Sequence, residues 1–355
     1  MVGISIEEVF VGIAGNHIKL QPSHGVVAVS SEDREIGEED IIRVFEASKV
    51  VALPPEREII DVVRRQFIVD GLDGISDPKG MIGVRLELEG TIITGSKTII
   101  RNLYTCIERA NLSIAGIFLQ PLAASSLALT KDEKSMGIIL ADIGAGQTTV
   151  SVFEQGSLVA TSVIPVGGEY ITNDIAIGLR TTTEIAEKIK IKHGCAFVDE
   201  ALEEEVFKVP RIGSNTEKEF SQLELANIIE PRLEEIFELI HAEVNKMGYS
   251  EIPGGYVLTG GVVSLPWSIE LARLVFQNSV RISIPDYIGV REPQYTTGVG
   301  IIKYGFQNVR PQQKRAVASG GSKPKKRPKV EGNSVQSASK ESVTDKVKNW
   351  IKEFI

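Results

Sequence analysis

The spacing of apolar positions changes several times along the chain. Near the start, VFVGIAG and GVVAVS are unbroken apolar runs closed by Gly or Ser, the pattern of strands. EEDIIRVFEA (38–47) has helical spacing with acids in the first turn. MIGVRLELEGTIITG alternates and predicts a further strand. Between Ser96 and Leu112, Ile100, Leu103 and Ile107 recur at i, i+3 and i+7, which predicts an amphipathic helix with Ser96 as its N-cap. Residues 1–115 are expected to form a small α+β unit.

From Ile117 the texture differs. FLQPLAASSLALT reads as a helix with Pro121 in its first turn. Strands follow over Met136–Asp142, Thr149–Glu154 and LVATSVIPVGG, a meander closed by Gly167-Gly168 and succeeded by a helix from Glu169. That order is one half of a nucleotide-clamping α/β domain. Helices then predominate over Thr183–His193 and Gln222–Met247, and a strand-loop-helix unit, GYVLTGGVVSLPW, begins at Gly255. Strand material ends near Pro293, and TTGVGIIKYGF predicts a last helix, which puts the second domain at 116–306. Residues 307–341 are rich in Lys, Pro, Ser, Gly and Gln, with too few large apolar side chains to offset ordering entropy, and are expected to be a disordered linker. In the last fourteen residues (342–355) the pattern returns. Val343, Val347, Trp350, Ile351, Phe354 and Ile355 fall on one helical stripe bordered by Lys346, Lys348 and Lys352.

Composition bounds these readings. The chain has 355 residues, enough for two domains, and 42% hydrophobic residues, ordinary for a globular protein. Two unpaired cysteines argue against a disulfide framework. No stretch approaches the ~18 apolar residues of a membrane span, and MVGISIEEVF lacks the basic start of a signal peptide. The net charge of −8 is split: twelve Lys/Arg oppose four acids after residue 306, a tail of about +8 on a body of about −16. The tail, rather than the body, suits an anionic surface. An isolated helix of about fourteen residues is marginal in water, so the terminal stripe needs a surface to bury it. A Trp/Phe/Ile face flanked by lysines fits a membrane interface; docking on the protein's own body or on a partner helix is the alternative. KPKKRPK (323–329) could be a nuclear or nucleic-acid patch, but no aromatic interleaves it, and a lipid-sensing linker fits better, with no nucleic-acid partner.

The chemistry concentrates in three places. In LADIGAGQTTVSVFEQG, Gly144 and Gly146 allow close backbone approach, Ala145 lies between them, and Gln147, Thr148 and Thr149 add amide and hydroxyl donors around a phosphate. Asp142 ends the preceding strand, placed to hold Mg2+ through water. A Gly-rich hairpin with a turn acid is the plainer reading of this loop alone. In VLTGGVVSLPW, Gly260-Gly261 follow an apolar strand and precede a helix, where a nucleotide can lie against the backbone. Between them, TTTEIAEKIKIKHG carries Glu187 and Lys190 at i, i+3: a carboxylate for ribose hydroxyls and an aliphatic stem to cover a purine, or a solvated intrahelical ion pair. No G-x-x-x-x-G-K-[ST] is present, so a P-loop is not expected. His17, His24, His193 and His241 show no metal-ligand spacing.

The three pieces occur in the order found in the actin/sugar-kinase/Hsp70 superfamily. EVFVGIAGNHIKL, IFLQPLAASSLAL, ADIGAGQTTVSVF, EKIKIKHG, IIEPRLEEIFELI, YVLTGGVVSLP and the closing amphipathic segment resemble the bacterial cell-division family FtsA over nearly the whole chain. The resemblance implies an α/β, actin-like (RNase H-like) ATPase fold with a small SHS2-like α+β subdomain inserted, here at the N-terminus, and a helical subdomain at about 181–250. It implies ATP with Mg2+, filament formation, capture of the C-terminal peptide of the tubulin-like protein FtsZ, and attachment to the cytoplasmic face of the cell membrane at the division septum, among other division proteins. It places Gln120 in a water-positioning role beside Asp142, with weak ATPase activity at most, and nominates Arg232 for an acidic peptide. The family carries a first phosphate loop of Asp-x-Gly-Thr-Ser type upstream of its small unit. None stands in this sequence, so nucleotide affinity is expected to be weakened. A related pilus-assembly adaptor and a sugar-kinase-type phosphotransferase are the alternatives; the terminal helix argues against the first, and the lack of a nominated catalytic Asp against the second.

Overall fold

The computed structural model of the chain describes residues 5–213 and 216–318. The described residues divide into two compact units, one of 5–11, 19–118 and 304–318, the other of 12–18 and 119–303. The short segment Gly12–Ile18 therefore belongs with the second unit rather than the first, and residues from Tyr304 on belong with the first.

The first unit runs β1 (Glu8–Ile13), β2 (Lys19–Ala28), α1 (Glu38–Ser48), β3 (Arg57–Val69), β4 (Leu72–Ile75), β5 (Arg85–Ser96), α2 (Lys97–Arg109) and β6 (Ser113–Leu119). Four strands form an antiparallel sheet in the order β2-β5-β3-β4, and β1 pairs with β6. Helix α1 starts where Asp40 accepts the Gly37 N–H at 3.0 Å. It packs Ile41 and Val44 against Phe67, Leu86, Leu88 and Ile92 of the sheet. Helix α2 begins after Ser96 as expected, yet the Ser96 side chain makes no capping bond. It buries Ile100 and leaves Cys106 exposed. Strand β3 is bulged twice, between Ile59 and Asp61 and between Arg64 and Gln66. Each bulge turns the following side chains to the opposite face.

The second unit starts with α3 (Gln120–Ala128), which has Pro121 in its first turn, and α4 (Lys131–Met136). The meander follows as β7 (Ile138–Ile143), β8 (Thr148–Glu154) and β9 (Ser157–Ile164). Gln155 and Gly156 both have positive φ, 51° and 78°, in the two-residue turn joining β8 to β9. After α5 (Gly168–Leu179) and α6 (Thr183–His193) come β10 (Val206–Pro210) and β11 (Glu217–Ser221), an antiparallel pair, and α7 (Gln222–Lys246). The chain closes with β12 (Tyr256–Thr259), α8 (Ser268–Phe276), β13 (Val280–Ile282) and α9 (Thr296–Ala318). The sheet order is β13-β12-β7-β8-β9, parallel across β13, β12 and β7 and antiparallel across β8 and β9. Its apolar residues pack against α7, which contributes Leu225, Ile229, Leu233, Ile236 and Ile240 at helical intervals. Cys195 is buried after α6.

Two expectations need correction. Residues 293–295 form a 3-10 turn rather than the end of a strand. Helix α9 continues to Ala318, so 307–318 is helical where a disordered linker was expected. Gly260-Gly261 do precede a helix, with a 3-10 turn (Val262–Ser264) leading into α8. The rest of the linker and the stripe Val343, Val347, Trp350, Ile351, Phe354 and Ile355 lie outside the described residues. No helix among the described residues is long and apolar enough to cross a membrane.

Candidate functional site

Strands β7 and β12 run parallel, with Thr259 in register with Asp142, so the loops after both open at the same carboxyl-end edge of the sheet. After β7 the chain reverses through Gly144–Gln147, closed by the Gly144 N–H donating to the Gln147 carbonyl at 3.0 Å. The Gly144 and Ala145 carbonyls accept from the Gly168 and Glu169 N–H groups at 2.9 and 2.8 Å, which ties the loop to the start of α5. That approach is why Gly167 bears no side chain: a Cβ there would lie 2.4 Å from the Gly144 oxygen and 2.5 Å from that of Ala145. No acceptor among the described residues engages the Ala145 or Gly146 N–H. Gly260 turns the chain after β12 at φ +96°, where a Cβ would lie 2.3 Å from the Ile143 carbonyl oxygen.

Between these loops lies a cavity of about 420 Å³. Asp142, Gly144 and Ala145 line it from the first loop and Gly260 and Gly261 from the second. Glu187 and Lys190 of α6 form another wall. Three segments remote in sequence thus meet in one space. Gly146 and Gln147 do not line it. Thr148 cannot serve as a hydroxyl donor: it is fully buried and donates to the Val166 carbonyl at 2.8 Å. Its inward position on the first residue of β8 hands the hydroxyl to the core.

The Glu187–Lys190 pair is an intrahelical ion pair with a half-exposed carboxylate and a buried ammonium. Lys190 is 8% exposed, and its Nζ donates to Glu187 Oε2 at 2.7 Å, Thr172 Oγ1 at 2.7 Å and the Gly168 carbonyl at 3.1 Å. Thr172 also donates to Glu187. Burial works against the Glu187 charge, but hydrogen bonds from Lys190 and Thr172 and the charge of Lys190 hold its carboxyl below the usual range. The lysine fixes the carboxylate at the wall, and the apolar cover comes from Ile191, exposed at the cavity, and Pro266. Sequence reasoning missed Thr172, Ile191 and Pro266, because each reads as an ordinary helical or loop residue.

Asp142 is enclosed, and burial pushes its carboxyl above the usual range despite a hydrogen bond from Thr297 Oγ1 to Oδ2 at 2.6 Å. No Lys or Arg among the described residues pairs with it. On its other side a gap of about 10 Å³, the size of one water, is lined by Gln120, Asp142 and Thr297. Gln120 sits at the start of α3 and donates to the Gly12 carbonyl at 3.4 Å. The main cavity carries two carboxylates and one lysine already neutralised by Glu187. A polyanion entering it would therefore bring its own cation, and the unpaired Asp142 is the group to meet that cation. This donor set fits a hydrated Mg2+ with a phosphate chain.

Arg232 is not available as a free guanidinium. On α7 it forms a two-pronged pair with Asp174 of α5, Nη2 to Oδ1 at 3.2 Å, and a further contact with Glu235. Those bonds raise its pKa and tie α7 to α5.

A parallel three-strand ladder flanked by an antiparallel hairpin, with loops meeting over its carboxyl edge, defines a core of the actin-like class. Solved structures bear the fold out. The PilM-PilN type IV pilus biogenesis complex matches with TM-score 0.54 and 15% identity, over 84% of this chain and 80% of that one. MreB 5 of Spiroplasma citri bound to AMPPNP matches with TM-score 0.52 and 17% identity, over 62% and 68%. Family models match as "Cell division protein FtsA" at residues 139–300 and "SHS2 domain inserted in FTSA" at 15–94. A cell division protein FtsA of Bacillus subtilis is 55% identical over 315 residues, 89% of this chain and 72% of the relative. One of Escherichia coli is 32% identical over 341 residues, 91% and 80%. The chain belongs to the FtsA family of cell-division proteins.

Proposed function

We propose that the chain is the ATP-binding, actin-like adaptor of the division septum, which recruits FtsZ to the cytoplasmic face of the cell membrane. The observation that supports this most is the convergence of Asp142–Ala145, Glu187 with Lys190, and Gly260-Gly261 on one cavity. ATP would lie with its phosphates toward the unengaged Ala145 N–H and its ribose toward Glu187. Gly260 and Gly261 would back it without side chains. Mg2+ supplies charge neutralisation to the phosphates, and Asp142 would hold its water shell. Gln120, across the one-water gap from Asp142, would orient a water for slow hydrolysis.

Filament formation and capture of the FtsZ C-terminal peptide belong to this proposal, supported by membership of the family. In the region around α7, peptide recognition through Arg232 would require a peptide carboxylate to exchange with Asp174 or Glu235. We assign attachment to lipid to the 342–355 stripe, where burial of six apolar side chains at ~1.5–3 kcal/mol each, less the cost of ordering, would make a reversible anchor.

Gly261→Val tests the cavity. A Cβ at Gly261 meets only Gln294 Cβ at 3.9 Å, so the bulk enters open space and the unliganded fold is expected to melt unchanged. The rise in melting temperature on adding Mg-ATP should be lost. An undiminished rise would remove this cavity as the nucleotide site.

A further inference from the structure

Two consecutive threonines open α9, and they do different things. Thr296 is fully buried and its Oγ1 donates to the Ser283 carbonyl at 3.2 Å. The preceding turn is held as well, because Thr259 Oγ1 and the Gly260 N–H both donate to the Pro293 carbonyl, at 2.8 and 3.3 Å. These three bonds fix the first turn of α9 to the residues that follow β12 and β13. Thr297 is left to face β7, where its hydroxyl donates to Asp142 Oδ2 at 2.6 Å.

The two oxygens of Asp142 have different surroundings. Oδ2 is taken by Thr297 on the side of the one-water gap, which both residues line. Oδ1 lies toward Gly260, where an added Cβ would come within 2.7 Å of it, and Gly260 and Asp142 both border the 420 Å³ cavity. A carboxylate with two-fold freedom at its last torsion is thereby held in one orientation.

We propose that Thr297 is a positioning residue for the metal-linked half of nucleotide binding: it anchors Oδ2 so that Oδ1 is presented to the cavity. This rests on the cavity being the Mg-nucleotide site. A pre-oriented carboxylate needs no rearrangement when a hydrated cation arrives, so the hydroxyl contributes to the gain in affinity that Mg2+ gives. It contributes little to nucleotide bound without metal.

The test is calorimetric titration of the full chain with ADP, in Mg2+ and in EDTA, for wild type, Thr297→Val and Thr297→Ser. Thr297→Val should bind ADP in EDTA within about two-fold of wild type and lose about ten-fold of the Mg2+ enhancement, the scale of one hydrogen bond to a charged acceptor. Thr297→Ser keeps the hydroxyl and should restore most of the enhancement, which a purely packing role for the methyl would not do. If Thr297→Val melts well below wild type without ligand, Thr297→Ala is measured in its place under the same expectation. Full Mg2+ enhancement without the hydroxyl, or equal losses in the Ser and Val variants, overturns the proposal. Absence of ADP binding by wild type under both conditions overturns the nucleotide reading, and this proposal with it.

Discussion

Arg180 closes α5 at φ 54°, in the left-handed region where a Cβ crowds the backbone. Its N–H donates to Ile177 and the Thr181 N–H to Ala176, which together satisfy the last carbonyls of the helix. The Arg180 side chain is exposed, and no ion pair among the described residues holds it. Arg180→Gly should stabilise the protein by about 0.5–1 kcal/mol, the relief of left-handed strain less the entropy that glycine adds to the unfolded chain. Chemical denaturation measures it; a loss of stability would mean that the arginine makes contacts that outweigh its strain. Single residues were also where sequence reasoning about the site was weakest. Asp142, Gly144, Ala145, Gly260 and Gly261 were legible because glycine and a strand-end acid have few other reasons to occur together. Thr148, Thr172 and Thr297 were not. A threonine's role depends on which neighbour its hydroxyl reaches, and these neighbours are remote in sequence: Val166, Lys190 and Asp142.

Strand β3 shows the same limit at the scale of an element. REIIDVVRRQFIV lacks clean alternation because two bulges reset which face each side chain meets, so the longest strand of the first unit escaped the period-two pattern. The short pair β10-β11, VFKVP and EKEFS, escaped because β10 ends in Pro and β11 is mostly charged. Helices α1, α6 and α7 were recovered closely, since acids in the first turn, a Thr or Ser cap on α6 and α7, and an apolar face agree with one another. Asp61, just after the first bulge of β3, is half-buried. Burial lifts its pKa to about 6, opposed by the Val62 N–H and the charge of Lys49. A carboxyl whose folded pKa lies above its unfolded value favours the fold at low pH, and that favour is lost as pH rises through about 6. Asp61→Asn should therefore gain about 2 kcal/mol of stability over wild type at pH 8, with the difference largely gone by pH 4. Urea melts at the two pH values measure this, and a pH-independent difference would show that Asp61 is not the titrating group.

For the whole molecule, the charge split and the terminal stripe matter most. A body of about −16 is repelled by an anionic bilayer, so the proposed attachment would fall to the basic end of the chain. The full chain should float with anionic liposomes, and deleting 342–355 should abolish flotation while leaving nucleotide-induced stabilisation intact. Flotation unchanged by the deletion would move the membrane contact elsewhere. The two cysteines have a practical consequence. Cys195 is 2% exposed, donates to the Phe197 carbonyl, and has its thiol pKa pushed up by burial, so it is shut off from reagents. Cys106 stands in the open on α2 of the first unit. A maleimide dye added to the unmodified protein should mark that one helix, giving a reporter on the first unit that costs no mutation.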